Sequence, residues 1–262
     1  MPEAGLVISH LFQNPSPRLL RLAEKAAVWG VRRLPEPDWL AAKPKRRIFH
    51  WGLGPVLADF QKSFLSEGLD RYLAESGVEL FSFDLGPSAR RHLSILPLSP
   101  PLGQAAIFRQ TAKAVAFIRK FYQGPLAVEN YNYYPTGLYE HITEPDFIKS
   151  YLDEFGFGLV LDLAHGAVTA HNTGMRPLDY FESLPLSKVA ELHISRPFLP
   201  AARRLPAVDT HLGPGPREWE WLKALLVKQI MPENTPVFIE FYKNPAGLSR
   251  HQAQLTDLVQ TF

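Results

Sequence analysis

Near the middle of the chain an apolar run, GLVLDLAHG at residues 158–166, ends on Asp162, with His165 three residues further on. Similar groups close other apolar runs. His50 ends RRIFHWG, Asp84 ends VELFSFDL, Glu129 stands in PLAVENY, His193 in VAELHIS and Glu240 in PVFIEFY, while Asp209 and His211 sit one residue apart in VDTHLG. Each has a plain structural reading: a histidine hydrogen-bonded to loop backbone, a glutamate paired with an arginine, a D-x-x-H spacing met by chance. Jointly they point elsewhere. An ionised carboxylate inside an apolar strand costs several kcal/mol unless it is paired or binds a metal. Asp162, Glu129 and Glu240 all lie in such runs, and few basic residues stand at the same ends to neutralise them. Imidazole and carboxylate donors suit iron, manganese or zinc. Nine donors exceed the roughly four to six that one ion takes, so two or three ions with bridging carboxylates is the economical reading.

The elements that must carry these groups are eight short strands, each apolar or β-branched and bounded by turn residues. They are read at 5–10, 28–34, 46–52, 78–85, 125–131, 158–165, 189–195 and 236–242. Helical patterns fall between most of them, at 16–27, 69–76, 103–123, 144–155, 177–184, 216–230 and 249–262, the first opened by Ser16 as cap and Pro17 at the first helical position. Alternation of this kind means parallel strands with right-handed crossovers. Eight units over residues 1–262 predict a single α/β domain, a (β/α)8 TIM barrel, with an open doubly wound sheet as the rival. In such a barrel the C-terminal strand ends form one rim, which is where the candidate donors fall. On this reading the chain leaves its strand at Asp162 and His165 begins the loop, while Asp209 and His211 both turn inward only if the backbone bends. The proline-rich stretch 197–208 is a long loop without a clear pattern and a candidate cover for the site.

Composition narrows the classes. There is no cysteine, which excludes disulfides, thiolate metal sites and a cysteine nucleophile in this chain. A net charge of +2, from 28 Lys+Arg against 26 Asp+Glu, gives no footprint for nucleic acid, and the basic stretch KPKRR at 43–47 reads as a solvated loop. No run has the ~18–20 apolar residues of a membrane span, and the N-terminus lacks a signal-peptide pattern, so a cytoplasmic protein is expected.

The ordered motifs resemble those of the multinuclear non-heme iron-dependent oxidative enzymes, a group of xylose-isomerase-like barrels whose ligand order is similar to that of endonuclease IV. FHWGLGPV (49–56), VENYNYY (128–134), LVLDLAHGAVTAHNTG (159–174), ELHI (191–194), DTHLGPGP (209–216) and FIEF (238–241) stand where that family has its metal motifs, over residues 46–242. Two positions depart from the pattern: Asp84 stands where the family has histidine, and His165 where it has asparagine. The resemblance implies two or three iron ions (Fe2+/Fe3+), with zinc or manganese as other occupants. It further implies O2-dependent modification of a ribosomally made precursor peptide, commonly at cysteine, and a small partner protein that presents the leader. Carried onto this chain, Glu129 bridges, His50 and Asp84 hold one ion, Asp162, His193 and Glu240 a second, and His165, Asp209 and His211 a third. Glu129, Asp162 and His165 are the catalytic candidates, and Trp51, Asn130 and Asn172 the candidates for substrate contact.

Other functions stay open on the sequence. One is a zinc phosphodiesterase like endonuclease IV, with Arg196, Arg203 and Arg204 supplying charge. Another is a sugar isomerase, for which no lysine stands in these motifs. A third is a barrel that only binds a partner.

Overall fold

A computed structural model describes residues 1–34, 45–202 and 205–262. Eight parallel strands close on themselves: β1 (Glu3–Ile8), β2 (Val28–Val31), β3 (Arg46–Trp51), β4 (Leu80–Asp84), β7 (Leu126–Glu129), β8 (Gly158–Asp162), β9 (Val189–Ile194) and β12 (Pro236–Ile239). Each overlaps one of the eight runs read from the sequence, with ends that differ by a few residues. The barrel order is β1-β12-β9-β8-β7-β4-β3-β2, with β1 also paired to β2, so the chain forms a closed barrel rather than an open sheet.

The outer layer is helical. It comprises α1 (Pro17–Lys25), α2 (Phe60–Ser66), α3 (Leu69–Glu75), α4 (Gln104–Ile118), α5 (Pro145–Phe155), α6 (Leu163–Thr173), α7 (Pro177–Ser183), α8 (Pro216–Val227) and α9 (Pro245–Val259). The capping chemistry is local. Ser16 accepts the Leu19 N–H at the start of α1, and α5 stops at Gly156 in the left-handed region, φ 65°.

Two antiparallel pairs project from the strand ends. The hairpin β5 (His92–Leu93) and β6 (Leu96–Pro97) follows β4, and the ribbon β10 (Arg196–Phe198) and β11 (Val208–Leu212) follows β9. The stretch expected to be a structureless loop is therefore the ribbon and its connection. Arg203, Arg204 and the first two residues of KPKRR lie outside the described residues, while Arg46 and Arg47 open β3.

Strand period explains where the site lies. Side chains of alternate residues enter the barrel. Val7, Val28, Ile48, Leu80, Ala127, Val160 and Phe238 form one apolar cluster there. Two residues further along the same strands stand His50, Ser82, Glu129, Asp162 and Glu240, all buried. The opposite faces, among them Leu6, Phe49, Phe81, Val128, Leu161 and Ile239, pack against the helices in a second cluster. The barrel interior is thus apolar at its base and carries donors at its C-terminal end.

Candidate metal centre

Three donor sets form at that end. His50, Asp84 and Glu129 offer ligand atoms that all lie within 4.8 Å of one another, as do Glu129, Asp162 and His165, and Asp162, His193 and Glu240. Glu129 and Asp162 each belong to two sets. Glu129 Oε2 lies 3.2 Å from His50 Nε2, and its Oε1 lies 2.6 Å from His193 Nδ1. Asp84 Oδ1 lies 3.3 Å from the same His50 nitrogen.

Asp209 and His211 reach the rim from β11, outside those three sets. Asp209 Oδ2 is 3.5 Å from His165 Nε2 and 3.0 Å from His211 Nδ1. His211 Nδ1 is in turn 3.8 Å from Glu240 Oε2. The backbone bend that the D-x-H spacing requires is present: His211 has φ 43°, a left-handed conformation costly for a residue with a Cβ.

His165 departs from the expected placement. It lies in the first turn of α6, not in a loop, because Asp162 caps that helix: its Oδ1 accepts the His165 N–H at 2.7 Å. His165 Nδ1 is 2.9 Å from the Asn130 carbonyl oxygen, so its Nε2 faces Asp209.

Each of the three substrate-contact candidates has partners within the fold. Asn130 is fully buried and clamps β7 to β8, donating to the Asp162 carbonyl at 3.0 Å and accepting the Asp162 N–H at 2.8 Å. Asn172 donates to the Tyr133 carbonyl and accepts the Ala207 N–H at 2.8 Å, tying α6 to the segment before β11. Trp51 packs edge-on against Phe60 and Phe64 and donates to Glu67.

Arg32, Glu191 and Ser82 are not singled out by the sequence reading, and Arg32 is one basic group that does stand at the rim and pairs with its carboxylates. Its Nη2 donates to Glu191 Oε1 at 2.9 Å and lies 2.8 Å from His193 Nε2, and its Nε donates to Glu240 Oε1 at 3.2 Å. The available signal was parity. Arg32 follows Gly30, Glu191 precedes His193 and Ser82 precedes Asp84 by two residues, the period that puts side chains on one strand face.

Charge is concentrated here, and protonation follows the neighbours. Burial opposes the His50 cation, yet Glu129 and the hydrogen bonds to Asp84 and Glu129 push its pKa up to about 9. Burial also opposes the His193 cation, but Glu240, Glu191 and Glu129 push it to about 10. For Glu191 the desolvation cost is outweighed by Arg32 and His193, which hold it down at about 2. Asp162 goes the other way: burial, aided by Glu129, Glu240 and Asp209, raises it to about 6 against the pull of His165.

Its Oδ2 is buried and has no hydrogen-bond partner among the described residues. A buried carboxylate oxygen without a hydrogen-bond partner, between two histidine-containing sets, is suited to binding a cation. The donor chemistry, imidazole and carboxylate without thiolate, fits a first-row divalent or trivalent ion.

Residues 58–260 match the model of the family described as RiPP precursor modification enzyme MbnB/TglH/ChrH. The chain belongs to that family. Among curated relatives, a UPF0276 protein of Alcanivorax borkumensis is 28% identical over 164 residues, 60% of this chain and 52% of the relative. Another, of Paraburkholderia phytofirmans, is 31% identical over 101 residues, 38% of this chain and 32% of the relative. The matches thus span about half or less of the length of these relatives.

Solved structures place the MbnB/TglH/ChrH member among xylose-isomerase-like barrels. A xylose isomerase domain protein from Planctomyces limnophilus superposes with TM-score 0.65 at 12% identity, covering 99% of this chain and 96% of that one. Endonuclease IV from Thermus thermophilus gives 0.65 at 14%, covering 99% of each. At these identities the likeness concerns the fold alone. No helix among the described residues is long and apolar enough to cross a membrane.

Proposed function

We propose that this chain is a multinuclear iron-dependent oxidative enzyme that uses O2 to modify a ribosomally made precursor peptide at a cysteine. The observation that carries the reading is the convergence of nine imidazole and carboxylate side chains at one barrel rim, with Glu129 and Asp162 each common to two donor sets. Family membership supports a peptide as substrate. His50 and Asp84 would hold one ion, Asp162, His193 and Glu240 a second, and His165, Asp209 and His211 a third, with Glu129 and Asp162, each common to two donor sets, bridging. Bound iron supplies Lewis acidity and electron exchange with O2.

The chain's own residues set the conditions for that chemistry. Glu129 turns one oxygen to His50 and the other to His193, the posture of a bridging carboxylate. Phe238 and the apolar layer around it keep water from entering through the barrel base. His211, with its side chain 38% exposed, is the donor most open to solvent and so meets an incoming peptide first. A small leader-binding partner belongs to the same proposal.

The test is metal analysis of the purified full chain with optical spectroscopy. Iron with a ferric charge-transfer band, and O2 uptake on adding a cysteine-bearing precursor peptide, are expected. Asp162→Ala is expected to lose metal and activity while keeping the circular dichroism of the barrel. A zinc protein that cleaves an abasic-site duplex would replace this reading with the hydrolytic one. Normal metal content in Asp162→Ala would remove Asp162 from the ligands.

A further inference from the structure

We infer that Glu191 is a positioning residue common to two ion sites: through its two oxygens it decides which ring nitrogen of His193, and which of His50, faces the cage. The inference rests on the metal-centre reading above. Glu191 is fully buried on β9, two residues before His193 and on the same inward face. Its Oε1 lies 2.6 Å from His193 Nε2, and its Oε2 accepts the Ser82 hydroxyl at 3.4 Å. Ser82 Oγ lies 3.0 Å from His50 Nδ1.

An ionised carboxylate only accepts hydrogen bonds, and that fixes both arms. On the first arm Glu191 Oε1 and Glu129 Oε1 each lie 2.6 Å from a ring nitrogen of His193, Nε2 and Nδ1 respectively, so both nitrogens carry protons in the metal-free chain, and Arg32 Nη2, 2.8 Å from Nε2, donates to Glu191. An ion among the carboxylates would displace the Nδ1 proton while Glu191 keeps the one on Nε2, leaving Nδ1 to the ion, 2.6 Å from Glu129 Oε1, 3.5 Å from Glu240 Oε1 and 3.8 Å from Asp162 Oδ2. On the second arm Ser82 has one proton and gives it to Glu191. Its oxygen therefore accepts from His50 Nδ1–H, and His50 Nε2 is left facing Asp84 and Glu129. Arg32 donates to Glu191 Oε1 at 2.9 Å and supplies the counter-charge a buried carboxylate needs. A carboxylate that holds the remote N–H of a metal-bound histidine fixes its tautomer, and losing it typically weakens metal affinity about 10–100-fold. Here one carboxylate serves two imidazoles, whose rings meet edge to face at 5.5 Å.

The experiment is Co2+ titration of the metal-free full chain, followed by visible absorption, with 15N-histidine NMR of the Zn2+-loaded protein to read which ring nitrogens carry protons. Thermal unfolding of each metal-free variant confirms that it folds. Glu191→Gln keeps the volume but has one accepting atom, which Arg32 retains on the His193 side. The amide NH2 then meets Ser82 Oγ, Ser82 turns its proton to His50 Nδ1, and His50 presents N–H to the cage. Glu191→Gln and Ser82→Ala are therefore expected to weaken the His50–Asp84–Glu129 site about 10–100-fold and to leave the Asp162–His193–Glu240 site near wild type. Glu191→Ala weakens both. If the wild-type chain takes up no ion, the metal-centre reading falls and this inference with it. If the wild type binds ions, and Glu191→Gln and Ser82→Ala bind each of them equally well with an unchanged His50 15N pattern, the role of Glu191 is overturned while the metal centre stands.

Discussion

Asp162 commits one carboxylate oxygen to the fold and leaves the other facing the cage. Oδ1 caps α6 through the His165 N–H, and Oδ2 has no hydrogen-bond partner among the described residues. Without an ion the carboxylate charge is thus poorly compensated, and burial raises its pKa from 3.8 to about 6. The linkage has a definite sign. The folded state holds the Asp162 proton more tightly than the unfolded chain, so this stabilising contribution is complete below about pH 4 and is lost as pH rises through about 6. Asn caps a helix about as well as Asp and carries no charge. Metal-free Asp162→Asn should therefore match the metal-free wild type in urea unfolding near pH 4 and exceed it increasingly up to about pH 6, with a constant difference above that. As purified, Asp162→Asn should hold less metal than the wild type. A wild type that stays the more stable across that range would show that Oδ2 is compensated by a group other than an ion.

At the scale of elements, the ribbon β10–β11 decides whether Asp209 and His211 belong to the site at all, since it pairs only with itself and not with the barrel. Asn172 is one strap that holds it, bonding the Tyr133 carbonyl at 2.7 Å and the Ala207 N–H at 2.8 Å. Asn172→Ala should cost about 1–3 kcal/mol in global stability, the scale of losing partners for half-buried backbone groups. It should also speed hydrogen–deuterium exchange in residues 207–212 while leaving β7 and β8 protected. Unchanged exchange there would mean that the ribbon is held by its barrel neighbours instead.

The same elements mark how far the sequence could be read. The eight barrel strands were legible because each is a compact apolar run between turn residues. Helix α6 was not: residues 163–170 are all buried, so LAHGAVTA shows no polar face from which a helical period could be read. The ribbon was hidden by its prolines, and Arg32 by its place at the tail of a strand, where an arginine ordinarily reads as solvated. The nine donors stood out because charge at the end of an apolar run is costly. Their partners Ser82 and Glu191 are fully buried but sit inside motifs whose histidine or aspartate drew the reading.

For the molecule as a whole, the barrel closes around one aromatic ring. Phe238 points inward from β12, fully buried, and forms the floor beneath the site: its ring is 5.4 Å from the Arg32 guanidinium carbon and 6.2 Å from the His193 ring. Closure brings β1 and β2 against it, and there the chain has Gly5 and Gly30. A Cβ at Gly5 would lie 2.3 Å from Phe238 Cε1, and one at Gly30 2.9 Å from the same atom. These glycines are therefore required by the ring and not by backbone conformation. Gly5→Ala should overpack the interior and cost about 1–3 kcal/mol. Phe238→Ala should open a cavity, cost about 3–5 kcal/mol and loosen Arg32 and His193 above it. Combining the two removes the ring atoms that the added methyl would strike. That methyl then enters the cavity, and the alanine backbone restricts the unfolded chain. In the double variant Gly5→Ala should be neutral or stabilising by about 0.4–1 kcal/mol, giving a coupling well beyond the ~0.5 kcal/mol of independent sites. Urea unfolding of the four chains measures it, and strict additivity would mean that Gly5 is not set by the ring at the barrel floor.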